Sequence, residues 1–286
     1  MLTAAERLKV GDDLFISAVT FRRRQLGRPI LVGVCGPQGS GKSTTALRLA
    51  NGLESRSLRT AVCSLDDFYL TRGERATLAR DVHPLFVTRG VPGTHDLSLM
   101  KSTLEALSTS QQGDIVQLPQ FDKATDDRVE PGNWRAFVGP VDVIILEGWC
   151  VGARAEDKCA LMEPANALEA ERDQNKIWRR YVNERLETDY AQVFDRLDLR
   201  LMLRPPSFEQ IYEWRMEQET TIRRNAQSLI PMNGVALKYF ISHYERVTRW
   251  LLADEPADLV ADLDEFRIPV TWRIPRNVLA PQPRSQ

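Results

Sequence analysis

The segment Gly36-Pro37-Gln38-Gly39-Ser40-Gly41-Lys42-Ser43 fits the spacing G-x-x-x-x-G-K-[ST], and Thr44 follows it. Glycines at these places let the backbone curl round an anion, with its N–H groups and the N-terminus of the next helix aimed inward. Lys42 is expected to reach the β- and γ-phosphates of a nucleotide, Ser43 to ligate Mg²⁺, and Thr44 to add a hydroxyl near the α-phosphate. Farther along, Val141-Asp142-Val143-Ile144-Ile145-Leu146-Glu147-Gly148 is an apolar run ending in a carboxylate. Beside a phosphate loop, Glu147 is expected to bind the metal or orient a water. Between the two lies Ser64-Leu65-Asp66-Asp67-Phe68-Tyr69. Transfer of a phosphoryl group to an alcohol needs an acceptor for the hydroxyl proton, and an aspartate suffices because the proton leaves late from a loose transition state. Asp66 is expected to be that base and to join Ser43 and Glu147 as a metal ligand. Asp67, on the opposite side of an extended chain, is expected to orient a helix cap or a metal-bound water.

These residues need a scaffold, and the apolar pattern supplies one. Ile30 to Cys35 is uniformly apolar, and Val141 to Leu146 is so apart from Asp142 near its start, as expected of parallel strands covered on both faces. Helical spacing from residue 4 to 26 and from Lys42 to about Ser55 alternates with strands at Arg59 to Leu65, Leu199 to Leu203 and Leu259 to Ile268. That alternation predicts an α/β fold with a mostly parallel sheet and helices on both faces. One domain is expected over residues 1–279. Within it, 1–28 would be an N-terminal helix, 66–140 a substrate-binding segment, 151–176 an acidic surface insertion and 205–253 a lid with a following helix. Residues 280–286 would be a disordered tail. In the lid, Phe208, Ile211, Tyr212 and Ile222 form a stripe that includes Arg215 and Glu219. An arginine on an apolar stripe needs a partner, and either Glu219 or a transferred phosphoryl group would serve.

Composition narrows the classes further. Thirty-eight basic and 39 acidic residues give a net charge of −1, which excludes nucleic-acid binding driven by overall positive charge. Cys35, Cys63, Cys150 and Cys159 form no C-x-x-C pair, so neither a disulfide framework nor a zinc site is expected. Apolar runs are strand-sized, and acidic residues interrupt the first helix, so neither a membrane span nor a signal peptide is expected. The expectation is a cytoplasmic monomer or homodimer that binds ATP and a small hydroxylated substrate, without nucleic-acid or membrane partners.

The order of the motifs is similar to that of the P-loop kinase branch containing uridine kinase, phosphoribulokinase and bacterial pantothenate kinase. Within it the chain most resembles the plant- and fungal-type D-glycerate 3-kinases. Ser64 to Thr71, Arg89-Gly90 with Gly93 to Leu97, Leu146 to Trp149, Tyr212 to Arg215, and Phe240 with Tyr244 carry this resemblance. It implies an ATP- and Mg²⁺-dependent transferase acting on a small organic acid, most readily D-glycerate, in which Asp66 faces the acceptor hydroxyl. It also implies that the segment from Arg89 through His95 to Asp96 holds the substrate, with Lys123 and Arg128 as further basic candidates. Arginine is the bidentate partner for a small carboxylate, and Asp96 could accept from hydroxyls. Arg215 is implied as a lid arginine for the transferred group, with Arg223 or Arg224 in reserve. Departures at Val91-Pro92 and at Asp122 fall on the substrate side. A nucleoside or pantothenate-like acceptor is the alternative within kinases. A GTPase is disfavoured because Asn175-Lys176-Ile177-Trp178 lacks the Asp of its guanine motif.

Overall fold

The structure, a computed structural model, describes residues 2–225 and 234–273, with the backbone alone at 222–225. In chain order the strands are β1 (Ile30–Cys35), β2 (Thr60–Ser64), β3 (Ile115–Leu118), β4 (Phe121–Asp122), β5 (Asp127–Arg128), β6 (Arg135–Val138), β7 (Val143–Gly148), β8 (Leu199–Arg204), β9 (Leu259–Leu263) and β10 (Pro269–Arg273). The helices are α1 (Ala4–Leu26), α2 (Lys42–Glu54), α3 (Arg72–Asp81), α4 (Leu97–Thr109), α5 (Ala167–Arg172), α6 (Ile177–Arg185), α7 (Ala191–Phe194), α8 (Glu209–Asn225), α9 (Gly234–Ser242) and α10 (Glu245–Asp254).

The central sheet runs β10-β9-β8-β1-β7-β2, parallel except for the edge strand β10, which pairs antiparallel with β9. β1 lies between β7 and β8, so the phosphate loop leaves the middle of the sheet. Side chains alternate between two cores: Val32, Val34 and Ile145 pack with α1, α2 and Trp214 of α8, while Leu31, Ile144 and Leu146 face the other core with Phe68, Met100 and Tyr190. Burial on both faces explains why these strands read as unbroken apolar runs. Each fully buried large side chain stabilises the fold by about 1.5–3 kcal/mol. Among the described residues, no helix is long and apolar enough to cross a membrane.

Three expectations change. The final strand is a hairpin of β9 and β10, not one strand through Ile268, and the helix after the lid breaks into α9 and α10 at His243. The stretch 151–176 is not a solvated appendage. Leu161 and Leu168 are buried, and the buried carboxylates of Glu169 and Asp173 are matched by Arg246 and Arg179, at 2.7 and 3.1 Å. Paired charges can be buried where isolated ones cannot, and composition alone hides that pairing. The expected tail at 280–286 lies outside the described residues.

Candidate active site

β1 delivers the chain to the phosphate loop, and α2 begins at Lys42. Gly39 has φ of 81°, and a Cβ there would lie 2.6 Å from Cβ of Trp214. The loop can therefore rest against α8 only because residue 39 has no side chain. The start of α2 carries Lys42 and Ser43 at the positive end of the helix. Together with the ends of β2 and β7 and the inner side of α8, it encloses a cleft of about 780 Å³.

Ser43 Oγ donates to Glu147 Oε1 at 2.8 Å. Glu147 is 4% exposed, and its Oε2 has no hydrogen-bond partner among the described residues. A buried carboxylate oxygen left unpaired is costly, and a hydroxyl beside a carboxylate is the hard oxygen set that Mg²⁺ takes. These two residues fit such an ion. Asp66 lines the same cleft, but Lys123 Nζ donates to its Oδ2 at 2.6 Å and the Tyr69 hydroxyl to its Oδ1 at 3.0 Å. Burial alone would raise the Asp66 carboxyl. Lys123 and Lys42 outweigh that effect and hold it well below the usual carboxylate range.

Asp67 behaves differently from the expectation. Residues 65–68 form a 3-10 turn instead of extended chain, and Asp67 accepts from the Phe121 N–H at 3.2 Å. It thus anchors β4 and caps no helix, and burial pushes its carboxyl up to about 6.

On the substrate side, Arg89 and Lys123 line the cleft. Arg89 pairs with Asp126, and its guanidinium lies 5.5 Å from the centre of the Phe121 ring. Its backbone is clamped as well: the Tyr244 hydroxyl donates to Arg89 O at 3.0 Å, and Trp149 Nε1 to Gly90 O at 2.9 Å. A Cβ on residue 90 would fall 2.0 Å from the Tyr244 hydroxyl oxygen, so glycine is required for this approach.

His95, Asp96 and Arg128 are not brought to the cleft lining. The His95 ring is buried and stacks on Tyr69 with centroids 4.5 Å apart, and its Nδ1 is 2.5 Å from the Tyr190 hydroxyl. Burial lowers its pKa to about 3, so the ring is neutral and offers no charge to an anion. Asp96 caps α4 by accepting from Leu99 N–H at 2.9 Å and meets Arg128 at 3.1 Å, while Arg128 also donates to Tyr69 O at 3.0 Å. The two side chains are engaged with each other, and Arg128 ties down the Tyr69 carbonyl.

Arg215 lines the cleft from α8, where Glu219 lies at 2.7 Å and Gln218 at 3.0 Å. The side chains of Arg223 and Arg224 lie outside the described residues. If Arg215 reaches the transferred group, Arg215→Ala lowers kcat by about 10²–10³-fold, the scale of one lost transition-state donor. Steady-state kinetics beside a thermal melt checks this, and an unchanged kcat would leave Arg215 with a structural role beside Glu219 and Gln218.

Tyr69, Trp149 and Tyr244 stand in recognisable motifs, but their hydrogen bonds emerge only in the fold. Arg267 has no motif signal. It comes from the β9–β10 turn and donates to Gly39 O at 2.6 Å.

A phosphate-loop lysine within electrostatic reach of a half-buried aspartate that is held ionised is the arrangement of a P-loop small-molecule kinase. The chain belongs to the phosphoribulokinase/uridine kinase family, whose model matches residues 31–156. It is 31% identical over 277 residues to "Uncharacterized kinase mug58" of Schizosaccharomyces pombe, covering 92% of this chain and 98% of that protein. The chloroplastic D-glycerate 3-kinase of Arabidopsis thaliana is 30% identical over 260 residues, covering 85% of this chain and 54% of that protein. A solved D-glycerate 3-kinase from Cryptococcus neoformans superposes with a TM-score of 0.78 at 26% identity, covering 92% of this chain and 98% of that one.

Proposed function

We propose that the protein transfers the γ-phosphoryl group of Mg·ATP to a hydroxyl of a small organic acid, with D-glycerate as the leading acceptor. The observation that carries this reading is the presence of two cations, Arg89 and Lys123, with Asp66 in the cleft that also holds Lys42 and Ser43. Asp66, kept ionised by its lysines, accepts the hydroxyl proton as the oxygen bonds to phosphorus. Lys123 fixes the carboxylate, and Tyr69 holds its other oxygen. Lys42 and Arg215 offset the charge spread over the phosphoryl oxygens. Magnesium, held by Ser43 and Glu147, would neutralise the β- and γ-oxygens. Arg89 engages Asp126 with one nitrogen and keeps further donors for the acceptor's carboxylate.

D-glycerate in particular is supported by the names of two relatives and by the need of a small acid for a guanidinium partner. A cytoplasmic setting is supported by four free thiols, three of them buried.

ADP release measured with Mg·ATP against D-glycerate, other hydroxy acids, pantothenate, nucleosides and sugars tests the reading. Stimulation is expected with D-glycerate, and stimulation by a nucleoside alone would redirect it. Arg89→Ala is expected to raise the acceptor KM by about 10–100-fold, the worth of a charge-assisted hydrogen bond, while the ATP KM stays put. An unchanged acceptor KM would remove Arg89 from the acid site.

A further inference from the structure

The β9–β10 turn reaches into the nucleotide side of the cleft with a single arginine. Arg267 has φ of 66°, a left-handed conformation that costs a residue with a Cβ roughly 1 kcal/mol. A turn with only a surface duty would place glycine or asparagine there. The conformation is held by Asp264, whose Oδ1 accepts from Phe266 N–H at 3.0 Å and Ile268 N–H at 2.9 Å. It aims the guanidinium at two elements at once. Nε donates to the Gly39 carbonyl at 2.6 Å, inside the phosphate loop, and Nη2 meets Glu217 of α8 at 2.6 Å. The guanidinium also lies 5.3 Å from the ring centre of Trp214, within cation–π range. Trp214 is fully buried, and its indole N–H donates to Glu265 O at 2.7 Å, so the same helix is tied to the same turn a second time. Arg215, the lid arginine facing the cleft, is the next residue of that helix.

We propose that Arg267 is a positioning residue that holds the phosphate loop and the lid helix in one register, so that binding of the nucleotide phosphates and placement of Arg215 are coupled. Binding of the Gly39 carbonyl by a guanidinium gives this partial negative charge a partner and adds positive charge beside Gln38 in the cleft. Both effects favour a polyphosphate. The Glu217 contact then carries the loop's position to α8. The inference rests on the ATP-dependent kinase reading and goes beyond it in naming what links donor binding to the lid.

The test compares wild type, Arg267→Ala and Glu217→Gln by calorimetric binding of Mg²⁺ with a non-hydrolysable ATP analogue, and by kcat and both KM values in the ADP-release assay. Arg267→Ala is expected to weaken analogue binding about tenfold and to lower kcat, with the acceptor KM unchanged. Glu217→Gln removes the charged contact from Arg267 to α8 and leaves the contact with the Gly39 carbonyl in place, so it is expected to lower kcat while analogue affinity stays within about twofold. A purely structural role would shift the melting temperature of both variants and leave their kinetic constants alone, and that result overturns the proposal. Should Arg267→Ala fail to fold, an unaltered kcat in Glu217→Gln overturns it by itself. A wild-type protein that does not bind the analogue would sink the kinase reading as well, which keeps the two failures distinct.

Discussion

Asp66→Asn lowers kcat by about 10²–10⁴-fold, the range for loss of a positioned general base, and leaves Mg·ATP binding close to wild type. Asparagine keeps the shape and still accepts from the Tyr69 hydroxyl, so the change isolates the proton-accepting charge. The electrostatics add a pH signature. Burial opposes ionisation of Asp66, but Lys123 and Lys42 hold its pKa depressed, so the carboxylate is already ionised through the neutral and mildly acidic range. The wild-type rate therefore shows no acid limb from Asp66 above about pH 5. A carboxylate depressed in the folded state also stabilises the fold above its unfolded pKa of about 3.9, and that stabilisation is lost as pH falls below it. Asp66→Asn should flatten that part of an acid-melting curve. Kinetics and melts over a pH series check both statements. Near-normal turnover in the variant would remove Asp66 as base.

Lys42→Ala is the second large effect. Lys42 starts α2 and lines the cleft beside Ser43, so its ammonium adds to the positive end of the helix where a polyphosphate would lie. Its loss removes a full charge from the point where charge develops during transfer. A fall in kcat/KM for ATP of about 10³-fold or more is expected, from weaker binding and a slower chemical step together. Because Lys42 also helps keep Asp66 ionised, the variant's pH profile should shift toward higher pH. Calorimetry with Mg²⁺ and an ATP analogue beside steady-state kinetics separates the two contributions. Unchanged affinity and turnover would contradict the phosphate-loop assignment.

The scaffold and the nucleotide half of the site were legible because their signals are local. Ile30 to Cys35 reads as a buried strand since both faces are covered, and the phosphate loop follows it within a few residues. Glu147 was legible for the same reason, as the polar end of an apolar run. The substrate half was less legible, because its side chains choose among partners that only the fold brings near. Asp96 and Arg128 have the chemistry to hold a hydroxy acid, yet they lie 3.1 Å apart and pair with each other outside the cleft lining. His95 stands among polar residues in the chain but is enclosed by Tyr69 and Tyr190. Asp67 is taken up by the Phe121 N–H, a partner 54 residues away that only the fold brings near, and it sits in a 3-10 turn instead of the extended chain its expected role assumed. Arg267 is 228 residues from its partner Gly39, beyond the reach of any motif. Its place depends on the β9–β10 hairpin, which the apolar pattern of the sequence presents as a single strand.

The most direct test of phosphoryl transfer follows the fate of the γ-phosphate. With ATP labelled at that position, Mg²⁺ and D-glycerate, the account predicts label in a phosphomonoester of the acid, one for each ADP formed, and none above background with Asp66→Asn. Label recovered only as inorganic phosphate, whichever hydroxylated acceptor is supplied, would contradict it.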